Sequence, residues 1–230
     1  MQSKLTLQSV GTLAGKTARR GATQLMSVAT EKSLNIDVVR SSLETLARGT
    51  INEMGNVATV ASGENYRAMR AAVLQTREPD VPMYLWNMDE TRVAAAVSYS
   101  MASYIDGNLY GAIQAVSNSV QHIVENAYRQ AVFETGKRDK HVTGYQRVAS
   151  ANACAFCMMV SLNQYTTFPK SGGYHAHCSC VAMPIFRGSS AYEPDHYREF
   201  EQAYIEGTRT AASGSAKDIL AAIRANTGRA

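Results

Sequence analysis

Six side chains with sulfur or imidazole donors fall into two tight groups. The first is Cys154-Ala-Phe-Cys157; after seventeen residues comes His175-Ala-His177-Cys178-Ser-Cys180. Thiolate sulfur and imidazole nitrogen are the donors zinc takes, four of them in a tetrahedron. A C-x2-C turn supplies two sulfurs from one tight loop, and the second group can supply the other two. Cys178 and Cys180 stand two apart, so on extended chain they face the same side. The four cysteines can complete one site. His175 can also replace one of them in a three-cysteine, one-histidine site. Of the six donors, Cys154, Cys157, His175, His177, Cys178 and Cys180, four can bind, and the remaining ones are supporting groups or free.

Other chemistries compete for the same residues. Four cysteines can form two disulfides in three connectivities. A C-x2-C pair can be a redox motif, but that needs a strand-to-helix passage in a βαβ setting, which the sequence does not display. The thiols can also be inert packing in a small core. A segment of roughly fifty residues is too small to be held by core burial alone, so a cross-link of some kind is expected.

Catalytic signatures are mostly missing. There is no H-E-x-x-H, no H-x-E ahead of the C-x-x-C, no G-x-S-x-G and no phosphate-binding G-x-x-x-x-G-K-[ST]. A triad assembled from distant residues leaves no local trace. His141 and His196 flank the cysteine segment and are the candidate bases, although each reads first as an ordinary satisfied histidine. His122 reads as packing beside an apolar helix stripe.

The charge pattern marks the same segment. Residues 1–136 carry 12 basic and 12 acidic side chains, residues 137–187 carry six basic and one acidic, and residues 188–230 carry five basic and six acidic. The net charge of +4 thus resides with the cysteines. The aromatics Tyr145, Phe156, Tyr165, Phe168, Tyr174 and Phe186 interleave with these cations. Such a mixture suits a nucleic-acid surface, or simply the core of a tiny module. Hydrophobic residues make up 45% of the chain and charged ones 18%, enough to bury a core. No apolar run approaches the roughly 20 residues of a membrane span, and no membrane partner is expected.

The elements that must position the cysteines are mainly helical. Residues 35–60 place Ile36, Val39, Leu43, Leu46 and Ile51 near helical spacing, and residues 64–77 continue with Tyr66, Met69, Ala72 and Val73. Pro79 and Pro82 force a turn. Asp89 is a plausible N-cap for residues 90–105, and Asp106-Gly107 breaks that helix. Residues 108–135 carry Leu109, Ile113, Val116, Val120, Ile123, Ala127 and Val132 on one side, with Gly136 as the expected C-cap. Long helices with short breaks suggest a bundle or hairpin. Residues 141–187 lose helical periodicity and read as short strands and turns. A linker then leads to helices near 195–206 and 216–225, the second capped by Ser215. The N-terminus lacks a secretory h-region. Its Lys4, Lys16, Arg19 and Arg20 precede any acid, as in a transit peptide, or as in a basic helix or arm that contacts something acidic.

Residues 144–187, GYQRVASANACAFCMMVSLNQYTTFPKSGGYHAHCSCVAMPIF with its closing Arg187, resemble the C-terminal module of the phage Mu F-like proteins, the phage head morphogenesis or minor capsid family. The matching pieces are Arg147-Val148, A-C-A-F-C-M-M, Y-H-A-H-C-S-C and the final Pro-Ile-Phe. The family pattern, aromatic-His-x-x-Cys-x-Cys, carries over to Tyr174, His175, Cys178 and Cys180. His177 falls at a variable position and ranks lower as a ligand.

Periodicity and charge together give a mainly α fold: a helical interaction region at 1–136, a small cysteine/histidine-rich α+β module at 137–187 that carries the resemblance, and a linker with short C-terminal helices at 188–230. The resemblance implies a minor capsid protein with structural zinc and no enzymatic step. Such a protein is associated with the portal and the inside of the head, acting in head assembly and DNA packaging or ejection. The implied partners are the portal or major capsid protein and packaged DNA, with copies arranged around the portal. The implied location is the capsid interior of the virion, reached from the host cytoplasm during assembly. The basic N-terminus then becomes a contact arm rather than a transit peptide. The alternatives are a capsid maturation protease, a label carried by similar proteins, and a nucleic-acid-binding zinc protein.

Overall fold

The computed structural model describes residues 7–75, 81–162, 164–165, 178, 180–190 and 192–229. The fold is mainly α, with a small α+β cysteine module and short C-terminal helices. The chain divides into two compact units, Met1–Arg67 with Met83–Ala131, and Ala68–Pro82 with Val132–Ala230.

The first unit is helical. It contains α1 (Leu7–Glu31), most of α2 (Ile36–Leu74), α3 (Glu90–Ile105) and most of α4 (Leu109–Gly136). Of the two readings of the basic N-terminal stretch, helix or arm, the described part is a helix. Its inner face is Leu7, Val10, Gly11, Ala14, Gly15, Ala18, Ala22, Met26 and Ala29, while Lys16, Arg19 and Arg20 stay outside. Small inner residues let the backbone approach closely. The Ser117 hydroxyl of α4 donates to the Gly15 carbonyl at 2.9 Å. A Cβ on Gly11 would fall 2.5 Å from Glu125 Cγ.

Residues 35–60 and the continuation at 64–77 form one helix, α2, unbroken from Ile36 to Leu74. Its buried row includes Val39, Leu43, Ile51 and Tyr66, with Ile36 exposed at the first turn. Asp89 caps α3 by accepting from the Thr91 backbone N–H at 3.0 Å. In α4, Val116, Val120, Ile123, Ala127 and Val132 are buried as their spacing requires. Also buried in α4 are Glu125 and Arg129, an ion pair at 3.4 Å. No described helix is long and apolar enough to cross a membrane.

The second unit takes the ends of α2 and α4 and everything that follows. Strand β1 (Val142–Val148) is the centre of a three-stranded sheet, antiparallel to β2 (Gln164–Tyr165) on one side and β3 (Val181–Phe186) on the other. Between β1 and β2 lies the short helix α5 (Ala155–Ser161), and α6 (Tyr197–Thr210) and α7 (Ala216–Thr227) close the chain.

The turn from α4 into β1 is fixed by charge. Asp139 is 5% exposed; its Oδ2 accepts from Arg70 Nε of α2 at 2.8 Å and its Oδ1 from the His141 backbone N–H at 3.0 Å. Gly136 ends α4, but not as a left-handed cap, since its φ is not positive. A Cβ there would collide with the Tyr145 hydroxyl, so the glycine makes room for a buried ring. The left-handed stop belongs to Gly228, at φ 66° after α7.

The C-terminal helices dock on the cysteine module. Ile219 and Ile223 of α7 pack on Ala155 of α5. Ser215 caps α7, its hydroxyl accepting from the Asp218 N–H at 3.2 Å. Arg229, just past α7, donates to the carbonyls of Ala151 at 2.6 Å and Ala153 at 3.2 Å and to Glu199 of α6 at 2.7 Å.

Candidate metal centre

The β1–β3 ladder brings the two cysteine groups together. Val148 pairs with Val181 at its end, so the chain leaving β1 lies beside the chain arriving at β3. The departing chain runs through Ala149–Ala153 into α5 and carries Cys154 and Cys157. The arriving chain carries Cys178 and Cys180. Among the described residues there is no parallel βαβ unit, since both pairings of β1 are antiparallel. A strand-to-helix passage does exist, contrary to the reading of residues 141–187 as strands and turns. Helix α5 escaped notice because seven residues are too few to display a period.

Cys154 is the N-cap of α5, extended, with its Sγ accepting from the Cys157 backbone N–H at 3.4 Å. Cys157 sits in the first turn. Its sulfur lies 3.4 Å from that of Cys178, and the sulfurs of Cys157, Cys178 and Cys180 all fall within 4.8 Å of one another. These three are 2%, 2% and 0% exposed. Sulfurs bound to one zinc at about 2.3 Å stand roughly 3.8 Å apart in a tetrahedron, so the triple has the spacing a metal needs. Cys154 is half-buried beside this triple and does not belong to it. His175 and His177 lie outside the described residues. None of the four cysteines is joined in a disulfide.

The electrostatics suit a cation. The Cys157 thiol is pushed far up by its hydrogen bonds with Cys178 and Cys180, and then by burial. Cys180 is pushed up to about 12: its hydrogen bond with Cys157 pulls down, the one with Cys178 and burial push up, and Arg147 pulls down. Thiols crowded in a dry core resist ionising next to one another. A divalent ion reverses this by giving each thiolate an opposite charge. The donor set therefore fits a soft or borderline metal ion.

The surroundings hold the thiols in place. Ala149, Ala153, Met158, Tyr197 and Phe200 form one core with the three cysteines. Burying two rings such as Tyr197 and Phe200 contributes roughly 1.5–3 kcal/mol each. The Tyr197 hydroxyl donates to the Arg147 carbonyl at 3.0 Å and accepts from the Ala149 N–H at 3.1 Å, satisfying backbone groups where β1 ends. His196, a candidate base, has its Nε2 2.9 Å from the Ala149 carbonyl oxygen and packs its ring on Tyr197 and Phe200. His122 Nε2 lies 3.0 Å from Asn126 Nδ2 on α4. His141 is half-buried at the start of β1, where its carbonyl accepts from the Arg187 N–H at 2.7 Å.

Sequence reasoning missed Tyr197 and Phe200, which reach the site from α6. It also missed the clamp by Gln146, which bonds both the carbonyl and the N–H of Tyr192 at 2.7 and 2.9 Å. A signal for the first was present: Tyr197, Phe200 and Ala203 are spaced at three along a charged helix.

The family model for the VG15 protein matches residues 5–207. No curated protein and no solved structure matches the chain. The match spans both compact units and includes all four cysteines, and the chain belongs to the VG15 family of viral proteins.

Proposed function

We propose that this chain is a minor capsid protein of the Mu F-like kind, working at the portal and inside of a phage head by docking and without a chemical step. The observation that carries the reading is the VG15 match over residues 5–207. The ordered module pieces, from Arg147-Val148 to Pro184-Ile185-Phe186, support the finer assignment.

The cysteine triple is, on this reading, a structural zinc centre. Cys157, Cys178 and Cys180 would hold the ion, with Cys154 or His175 as the fourth donor. When bound, zinc supplies a cross-link between the loop after β1 and the loop before β3. Filling all four positions from the protein leaves none for water, which is the pattern of structural rather than catalytic zinc. Burial of the three thiols also argues for structure, because a nucleophile must be reachable.

A partner with negative charge is supported at one edge of the module. Lys137, Arg138, Lys140 and Arg187 are exposed there, while Asp139, the one acidic residue of 137–187, is turned inward onto Arg70. This edge suits packaged DNA, whose phosphates need cations and no apolar anchor.

Quantitative mass spectrometry of heads purified from the encoding virus tests the assignment. The expected result is this chain in heads or proheads at a copy number far below that of the major capsid protein. Its absence from every assembly intermediate and from the particle would overturn the reading.

A further inference from the structure

The sulfurs of Cys157, Cys178 and Cys180 are buried, and a buried metal site needs an entry path. Helix α6 covers them on one side: Tyr197, Phe200 and Ala203 pack on the core that holds the three cysteines. The entry of α6 is pinned to β1. Gln146 bonds both the N–H and the carbonyl of Tyr192, and the Tyr197 hydroxyl bonds the backbone of Arg147 and Ala149. Farther along, α6 lies close against α7. A Cβ on Gly207 would fall 2.5 Å from Ile223 Cγ1, and Asn226 Nδ2 donates to Thr210 Oγ1 at 3.1 Å, so the two helices form one tight hairpin. Its far end is fastened by Arg229. One guanidinium nitrogen, Nη1, donates to the carbonyls of Ala151 and Ala153 at 2.6 and 3.2 Å, in the loop that leads to Cys154. The other, Nη2, donates to Glu199 of α6 at 2.7 Å, and the guanidinium carbon stands 5.9 Å from the ring centre of Phe200. One side chain thus joins the end of α7, the cysteine-bearing loop and a ring that lies in the thiol core.

We propose that the α6–α7 hairpin is a lid over the thiol triple, that Arg229 is its fastener, and that metal enters and leaves when the lid opens. A segment held by a few contacts opens locally at far lower cost than the whole chain unfolds. The contacts that hold α7 down are Ile219 and Ile223 on Ala155 of α5, and the bonds of Arg229. Hydrogen bonds from a guanidinium to carbonyls are stronger than neutral ones. The bond to Glu199 is exposed on the carboxylate side and adds little. The family match ends at residue 207, before α7 and its arginine. The lid follows from the packing alone; that a metal lies beneath it rests on the metal-centre reading above.

Two measurements on the full chain test this: the rate at which zinc passes to an excess of a colorimetric chelator, and amide hydrogen exchange read by mass spectrometry. In Arg229→Ala, zinc is expected to leave about 10- to 100-fold faster at unchanged zinc per chain, since the rate follows the open population when reclosing is fast. Amides of residues 151–160 and 197–227 are expected to exchange faster, and those of the first unit as in wild type. Arg209→Ala removes an exposed pair with Glu206 on the outside of α6 and is expected to change neither readout. If Arg229→Ala does not fold, Arg229→Gln, which keeps a donor, replaces it with a smaller shift in the same direction. Wild-type release and exchange in the Arg229 variant would overturn the lid, as would faster exchange spread equally over both units. A purified chain without zinc whose 151–160 amides still respond to Arg229→Ala would overturn the metal-centre reading and leave the lid standing.

Discussion

Cys157→Ser is expected to abolish metal binding and to unfold the cysteine module. Cys157 is the member of the triple that comes from α5, so it is the link between the two loops. Structural zinc contributes roughly 10–16 kcal/mol of apparent folding free energy in small metal domains. Whole domains are stable by only about 5–15 kcal/mol. Losing one ligand of a buried centre therefore threatens the fold as well as the site. The serine hydroxyl also cannot replace a thiolate in a dry pocket. The measurements are bound metal per chain and limited proteolysis. The expected outcome is loss of the metal and new cleavage within residues 140–190. A variant that keeps its metal and its protease resistance would sink the idea.

The companion substitution Cys154→Ser separates two ligand sets. Serine keeps the N-cap acceptor, so α5 is expected to survive. If Cys154 is the fourth donor, affinity falls in this variant and not in His175→Ala; if His175 is the fourth donor, the order reverses.

Asp139→Ala is expected to cost about 3–5 kcal/mol, the usual cost of removing one partner from a buried ion pair. The side chains of Arg70 and Asp139 are 8% and 1% exposed, so solvent cannot take over the charge left behind. Asp139 also holds the His141 N–H, which shapes the turn into β1. Removing it takes the carboxylate from a buried guanidinium and from a backbone donor together. Asp139→Asn keeps an acceptor for the N–H and is expected to be milder. Pairing Asp139→Ala with Arg70→Met is expected to recover part of the loss, a coupling that a double-mutant cycle in urea can measure. A single alanine variant within 1 kcal/mol of wild type would contradict the role assigned to this pair.

The parts of the fold legible in the sequence are those written in local chemistry. Asp89 and Ser215 cap the helices they precede, Asp106-Gly107 separates α3 from α4, and the apolar row of α4 is buried as spaced. That the two cysteine groups meet was legible as well, from two close-set pairs of soft donors; that Cys154 stands outside the triple was not.

What stayed hidden depends on long-range packing. The inner face of α1 is largely alanine and glycine, so its burial comes from close backbone approach and leaves little hydropathy signal. Its outer Lys16, Arg19 and Arg20 give a basic face that reads equally as a helix or an arm. Gly136 looks like a helix stop until Tyr145 is seen above it. The Arg70–Asp139 pair joins residues on α2 and in the turn after α4, and nothing local announces it. Arg147 counts in the sequence as one more surface cation of a basic segment. Only the β1–β3 register turns it toward the core.

The central claim is that Cys157, Cys178 and Cys180 form a metal centre that holds the second unit together. Elemental analysis of the purified full chain, paired with a count of reduced thiols, tests it most directly. The account predicts about one zinc per chain with the cysteines reduced. A folded chain without metal, its cysteines joined in disulfides, would contradict it.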